Sequence, residues 1–346
     1  MARKLDEVAR LAGVSPRTVS NVVNNFEHVR PATRIRVQQA IEQLGYRPNI
    51  SARRLRQGRT GVLGLAVPEL SQPYFAELSE LIERAAQERG YTVMAGQTGG
   101  SLAREIGILQ DFNSHTVDGL ILSPMSMSAA DLRDNLPGVP VVLIGEQIFN
   151  EDFIDIAIDN VQAVRDLTEH LISTGRSRIA ALGAFSSPGY RSASLRLDGY
   201  RAALEANGIV FDDSLVLYTD EYGREAGRAA TARAIAAGVE MDAVVCFSDV
   251  LAMGALRAFA TAGITVPDQV AVVGMDDIEE SAFNVPSLTT ISPNKDAIAT
   301  NAVSQLIQLI TDPESDTADI DCSYTLVVRE SSTAASASTP QVRLGE

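Results

Sequence analysis

The sequence predicts a small all-α N-terminal domain of helix-turn-helix type with a hinge helix after it, joined to a larger two-lobed α/β body built on doubly wound parallel sheets. Three observations lead there. Residues 1–60 hold twelve Lys and Arg against four Asp and Glu, a balance of +8, whereas the remainder holds 17 against 40, or −23. Within the basic end, two short amphipathic helix patterns meet at Gly13. From Thr60 onward, near-continuous apolar runs alternate with helical segments, as parallel strands covered on both faces do. At 346 residues the chain has room for two or three domains.

The charge split means that one end meets a polyanion while the body stays in solution. Leu5 to Ala12 forms the first helix, with Leu5, Val8, Ala9 and Ala12 on one face. Gly13 supplies the turn, since glycine takes a positive φ without steric cost. Ser15 is placed to cap a second helix and Pro16 to fill its first position, where a missing N–H is harmless. Val19, Val22 and Val23 make its apolar face. Small Ala9, turning Gly13 and apolar Val19 have the spacing of two helices that cross closely. A third helix runs from about Ala32 to Leu44, opened by Pro31 and closed by Gly45, with Ile35, Val37, Ala40, Ile41 and Leu44 as core residues.

Next comes a basic linker, Tyr46 to Thr60, with one apolar notch. Asn49 can cap a short helix, Ala52 is small, and Leu55 projects among Arg53, Arg54 and Arg56. So short and polar a helix is not stable alone. It forms when phosphates neutralise the arginines and Leu55 wedges into a minor-groove base step.

The motifs Asp6-Glu7-Val8-Ala9, Ala12-Gly13-Val14-Ser15, Thr18-Val19-Ser20, Val23-Asn24 and Gly45-Tyr46-Arg47-Pro48-Asn49 resemble the lactose-repressor (LacI/GalR) family of bacterial transcription regulators. The resemblance covers nearly the whole chain. It implies that the second helix enters the major groove of double-stranded operator DNA, and that hinge helices of two subunits kink the operator centre with paired leucines. The DNA-contacting set is then Leu5, Ser15, Pro16, Arg17, Thr18, Ser20 and Asn21, with Asn49, Ala52, Arg53, Leu55 and Arg56 in the hinge. Arg17 can bind a guanine edge bidentately and Asn21 can pair with adenine or a phosphate. Ser15, Thr18, Ser20 and the hinge arginines contact phosphates, which position the domain without reading sequence. Many relatives carry Arg where this chain has Asn21, so its operator is its own.

In the body, strand-like Gly61–Pro68 precedes a helix near Pro73–Arg89, a strand Tyr91–Gly96, a helix near Leu102–Phe112, and strands Val117–Ser123 and Val139–Gly145. Asp155–Ile158 leads to a helix near Val161–Thr174, then Arg178–Gly183, a helix near Ser192–Ala206, Ser214–Tyr218 and a helix near Gly223–Ala237. Ala243–Phe247, a helix around Leu251–Ala262 and Val270–Gly274 close the second set. The resemblance makes these the two lobes of a periplasmic-binding-protein-like effector domain, with crossings near Asp159, Thr290 and Asp321. The parts are then 1–48 for the DNA-binding domain, 49–59 for the hinge helix and 60–330 for effector binding and dimerisation. Within the last, lobe 1 takes 60–159 plus 290–320, and lobe 2 takes 160–289 plus 321–330. The Ser/Thr/Ala-rich segment 331–346 lacks heptads and reads as a disordered tail, against a tetramer-forming coiled coil.

Ligands of open α/β sheets sit beyond the carboxyl ends of the strands, here between the lobes. Ser71, Tyr74 and Phe75 follow the first strand, Gln97 and Ser123 end later ones, and Asp159 lies at the first crossing. By resemblance, Arg196 grips effector oxygens, Tyr222 meets a ring face and Asp276 binds hydroxyls. Ser248 stands where relatives commonly have Asn or Asp, a departure that points to a bulkier ligand or a water bridge. A guanidinium facing a carboxylate suits vicinal hydroxyls. Asp249 and Asp277 read as helix caps, Tyr200 and Phe247 as core, and Ser71, Gln97 and Asp159 also admit a purely structural role.

No Gly-x-Gly-x-x-Gly, P-loop or Gly-x-Ser-x-Gly elbow is present, and the three histidines and two cysteines are scattered. Neither an enzyme, a metal site nor a cofactor is expected. The absence of an apolar h-region at the start, of a run long enough to span a bilayer, and of paired cysteines points to a cytoplasmic, nucleoid-associated protein without membrane contact. The expected function is a ligand-responsive repressor of carbohydrate or polyol genes, acting as a homodimer on a pseudo-palindromic operator with a sugar, polyol or sugar phosphate as effector. A purine- or nucleoside-responsive regulator is the alternative within the family, and a sugar-binding protein without a DNA role is the alternative outside it.

Overall fold

The structure is a computed structural model, and it describes residues 5–23, 26, 28–46, 59–113, 115–145, 148, 153–185, 190–313 and 320–333. The chain divides into two compact units, Met1–Thr60 and Gly61–Glu346. In the first, α1 (Leu5–Ala12), α2 (Pro16–Val23) and α3 (Pro31–Leu44) close on a core of Val8, Ala9, Ala12, Val19, Val22, Val37 and Ala40. Gly13 takes a φ of 63° at the turn. Ser15 caps α2, its Oγ accepting from Thr18 N at 3.1 Å. Gly45 ends α3 in the left-handed region, with a φ of 58°. Ile35 departs from expectation, being 58 % exposed. Val37, Ala40, Ile41 and Leu44 share one helical stripe at i, i+3, i+4 and i+7, and Ile35 lies off it.

The second unit holds two sheets. The first has the order β2-β1-β3-β4-β5-β11, made of β1 (Val62–Val67), β2 (Thr92–Gln97), β3 (Gly119–Leu122), β4 (Val141–Ile144), β5 (Ile154–Ala157) and β11 (Ile320–Asp321). The second runs β7-β6-β8-β9-β10-β12, from β6 (Ile179–Ala184), β7 (Val216–Tyr218), β8 (Ala243–Cys246), β9 (Ala271–Met275), β10 (Thr289–Pro293) and β12 (Tyr324–Val327). All pairings are parallel except β10 with β12. Central strands are buried along their length, which is why they read as unbroken apolar runs. The flanking helices are α4 (Pro73–Glu88), α5 (Leu102–Asp111), α6 (Ala129–Asp134), α7 (Asn160–Ser173), α8 (Arg191–Ala206), α9 (Arg224–Ala236), α10 (Asp249–Ala262), α11 (Glu279–Phe283) and α12 (Lys295–Thr311).

Three crossings join the lobes. The first follows β5 at Ile158 and Asp159, the second lies at Asn294, and the third at Cys322 and Ser323. They run side by side: Asn294 N donates to Ser323 O at 2.9 Å, and Cys322 N to Ala157 O at 2.7 Å. The second crossing falls after the expected Thr290, because Thr289–Pro293 pairs with β9 and so belongs to the second sheet. α12 then packs on α4 in the first lobe. Expectation also failed at the far end, where Ser331 and Ser332 are buried. Ser331 Oγ donates to Val272 O at 2.6 Å, and Ser332 Oγ lies 2.8 Å from His170 Nε2. Hydroxyls placed one by one on buried partners hold this segment, so its composition alone misleads. Residues 334–346 lie outside the described set. Cys246 and Cys322 are buried and not joined in a disulfide.

Candidate functional site

Two features stand out, one on each unit. On α2, Pro16 and Arg17 are exposed at the N-terminal end, and Thr18, Ser20 and Asn21 are half-buried along the helix. The Ser15 and Thr18 hydroxyls lie 2.9 Å apart, so the cap is already organised. Leu5 is half-buried and packs on the three-helix core. Asn49, Ala52, Arg53, Leu55 and Arg56 lie outside the described residues.

Between the lobes of the body lies a cavity of about 460 Å³. Its polar centre is Arg196 on α8, whose Nε donates to Asn160 Oδ1 at 2.6 Å and whose Nη1 donates to Phe247 O. The same guanidinium sits 5.9 Å from the centroid of the Tyr222 ring. Tyr74 and Phe75 line the cavity from α4, in an edge-to-face pair with centroids 5.3 Å apart. From the second lobe, Phe185 stacks on Tyr190 at 4.2 Å and leans on Tyr222 at 5.2 Å. Gln72 Nε2 reaches across to Tyr222 O at 2.6 Å. Behind one wall, the buried Glu105 carboxylate accepts from Met125 N at 2.7 Å and Ser126 N at 3.3 Å, fixing the loop after β3.

Asp276 enters the cavity from the end of β9, on a strained turn. Its φ is 121° and that of Asp277 is 47°, a region non-glycine residues seldom occupy. Surrounding bonds over-determine the turn. Asp276 N donates to Ile291 O at 2.9 Å, Lys295 Nζ to Asp277 O at 3.0 Å, and Arg329 Nη2 to Asp277 Oδ1 at 2.7 Å. The buried Asp249 carboxylate binds Ile278 N at 3.2 Å, Ser281 Oγ at 2.6 Å and Thr290 Oγ1 at 2.6 Å. Asp249 is thus no cap: Ser248 caps α10, accepting from Leu251 N at 3.3 Å, while Asp249 ties strand, turn and helix together. Asp277 is likewise a partner of Arg329 and not a cap.

Burial pushes the Asp276 carboxyl up to about 8. Arg196 and Lys295 oppose the shift and the Asp249 charge adds to it. Burial also raises Asp249, to about 6, against the pull of its three donors. Both groups hold protons more tightly folded than unfolded. Their stabilisation is therefore complete below the ordinary carboxylate range and is lost as pH rises through 6 and then 8. The thermal midpoint of the body should fall between pH 4.5 and 8.5, and Asp276→Asn should shrink the fall above pH 6. An unchanged slope in that variant would place the titration elsewhere.

Of the ten expected cleft residues, Tyr74, Phe75, Ser123, Arg196, Tyr222, Ser248 and Asp276 line the cavity. Three do not. Ser71 is exposed just outside it, Gln97 is turned to accept Leu70 N at 3.3 Å, and Asp159 caps α7 by accepting Gln162 N at 2.9 Å. Asn160, at the first crossing beside Asp159, lines it, and so do Phe185, Tyr190 and Gln72, which were not singled out. For Asn160 a signal existed, because it adjoins Asp159 at the first crossing; the loop aromatics carried none. Among the described residues no group of three metal-ligating side chains occurs, and no helix is long and apolar enough to cross a membrane.

Comparison with known proteins agrees with this geometry. Residues 60–329 match the family of periplasmic binding proteins and sugar binding domain of LacI family, and residues 4–49 match the bacterial regulatory proteins, lacI family. The ribose operon repressor of Escherichia coli (strain K12) is 34 % identical over 313 residues, covering 89 % of this chain and 93 % of the repressor. The regulator CelR of Thermobifida fusca is 34 % identical over 94 % of this chain and 97 % of its own. Among solved structures, the lac repressor dimer bound to operator and the anti-inducer ONPF is similar with a TM-score of 0.83 at 26 % identity, over 96 % of this chain and 100 % of that one. With both parts matched and a third of the residues shared along almost the full length of the relatives, the chain belongs to the LacI family of bacterial regulatory proteins.

Proposed function

We propose that this chain is a homodimeric, effector-responsive repressor of carbohydrate or polyol genes, acting in the cytoplasm on a pseudo-palindromic operator and needing no cofactor. One observation carries the reading: the chain that exposes Arg17 at the start of α2 also holds Arg196 and Asp276 in one interlobe cavity. The relatives support the carbohydrate class. One is named a ribose operon repressor, and a CelR–cellobiose complex is similar at 31 % identity with a TM-score of 0.71. In this reading Arg17 and Asn21 read base edges, Ser15, Thr18 and Ser20 hold phosphates, and Leu55 wedges the operator centre. Arg196, Asp276 and Ser123 hold effector hydroxyls while Tyr74, Phe75 and Tyr222 meet its ring faces, with Ser248 nearby. Effector changes operator affinity by linkage, binding one arrangement of the lobes better than the other. Phe283 and Val285, 77 % and 95 % exposed, are apolar side chains of the kind that a subunit interface covers.

The test is selection of a bound sequence from random duplexes by the full chain. A palindromic site holding two chains is expected. Arg17→Ala should weaken binding to it ten- to a hundredfold, roughly 1–3 kcal/mol for one lost bidentate base contact. A chain that enriches no sequence is not a regulator of this kind.

A further inference from the structure

The cleft's charge is lopsided. Among the described lining residues Arg196 is the single cation, against Glu69, Asp220, Glu221 and Asp276. That cation is already engaged by Asn160 and by Phe247 O, and it faces Asp276. The remaining polar lining is neutral, from Gln72, Ser123, Asn160, Ser192 and Ser248. Opposed aromatic rings, Tyr74 and Phe75 on one lobe and Tyr222 on the other, offer faces to an apolar ring surface.

We propose that the cleft takes an uncharged polyhydroxylated effector, a neutral sugar, glycoside or polyol, and rejects phosphorylated and carboxylated ones. This rests on the reading of the cleft as the effector site. A buried anion needs a charge partner or several donors, and an unpaired one is driven out or neutralised. Here the one guanidinium already donates to Asn160 Oδ1 and to Phe247 O. A second anion finds no unshared cation among the described lining, and it meets Asp220 and Glu221 exposed at the rim. Neutral hydroxyls face no such penalty. They can donate to Asp276 and accept from the guanidinium together, which a phosphate without protons cannot do.

The experiment uses the full chain and matched pairs: ribose and ribose 5-phosphate, glucose and glucose 6-phosphate, glucitol and glucitol 6-phosphate, cellobiose and cellobionate. A ligand bound only by the folded state raises the thermal midpoint, and calorimetry then gives the affinity. At least one neutral member should bind, with its charged partner about a hundredfold weaker or worse. A charged member binding as tightly as its neutral partner overturns the proposal, and so does a panel in which no neutral member binds. Operator selection on the same preparation separates the two failures. A chain that enriches an operator yet binds only charged members refutes the charge selection alone, whereas one that enriches none refutes the regulator reading.

Discussion

Arg196→Ala should give a protein that still holds its operator and no longer answers to its effector. The guanidinium joins two parts of the second lobe, Asn160 at the start of α7 and the carbonyl of Phe247 after β8, and its charge bears on Asp276 on the strained turn after β9. On the proposed reading, truncation removes the guanidinium's charge-assisted contacts to the ligand's hydroxyls, each roughly 1.5–3 kcal/mol. It also removes one of the two cations, Arg196 and Lys295, that draw the Asp276 proton off, so that carboxyl rises further. Effector affinity should therefore fall by about two to three orders of magnitude. The fold should survive, because the lost side chain faces a cavity that water can refill. Arg196→Lys should not rescue it, since an ammonium cannot serve Asn160, Phe247 O and ligand together in a planar fork. Titration calorimetry against the bound sugar or polyol, with operator binding measured beside it, decides the matter. A variant that keeps its effector response removes Arg196 from the site.

Gly254→Ala should unfold the second lobe at markedly lower temperature. Gly254 on α10 packs against α9 so closely that a Cβ would lie 2.1 Å from Arg224 O and 2.5 Å from Arg228 N. Gly227 makes the reciprocal approach, 2.3 Å from Leu251 O. These obstacles are backbone and cannot rotate aside, so the helices must part. Alanine's better helix propensity returns only about 1 kcal/mol. Overpacking of this kind costs roughly 1–3 kcal/mol or more, and the cavities opened along the seam add to it. A midpoint about 5–10 °C lower is expected by calorimetry or near-ultraviolet dichroism. Gly107→Ala in α5 is the control, because no heavy atom lies within 4 Å of its Cβ. There the propensity gain should win and the midpoint should hold or rise. A Gly254→Ala protein as stable as its parent would mean that the two helices have room the structure does not give them.

Patterns local in sequence were legible, and those made by distant partners were not. Val8, Gly13, Ser15 and Pro16 announce their helices because caps, turns and stripes act over a few residues. Buried strands such as Val141–Ile144 announce themselves as apolar runs. By contrast, Thr289–Pro293 is strand only because β9 and β12 flank it, and its buried threonines look polar on paper. α12 went unread although Ile298, Ala302 and Leu306 sit on one face, since nothing local says which lobe they cover. In the cleft, the motifs that carry the family resemblance led to Arg196 and Asp276. They did not separate Asp159 from Asn160, where one side chain turns back to cap a helix and its neighbour turns in to hold the arginine. Asp249 looked like a cap for the same reason: an aspartate opening a helix is ordinary, and its three bonds to residues 278, 281 and 290 are a property of the folded chain.

The three side-by-side crossings bear on how the molecule is made. Ile320 in β11 pairs with Ile156 in β5, and strands β6 to β10 of the second lobe lie between them in the sequence, with β12 following β11. As the chain emerges from a ribosome, the first lobe cannot be completed when its own early strands appear. It must wait for α12 and β11, which come last but one. Holding its ends open through that interval is entropically unfavourable for a loose connection. Pairing among β6 to β10 eases the difficulty, because it sets Asp159 and Asn294 at neighbouring crossings and so turns a long loop into a short one. The topology thus interleaves the two lobes: β11 completes the first sheet before β12 completes the second, so neither is whole until the last strands are made.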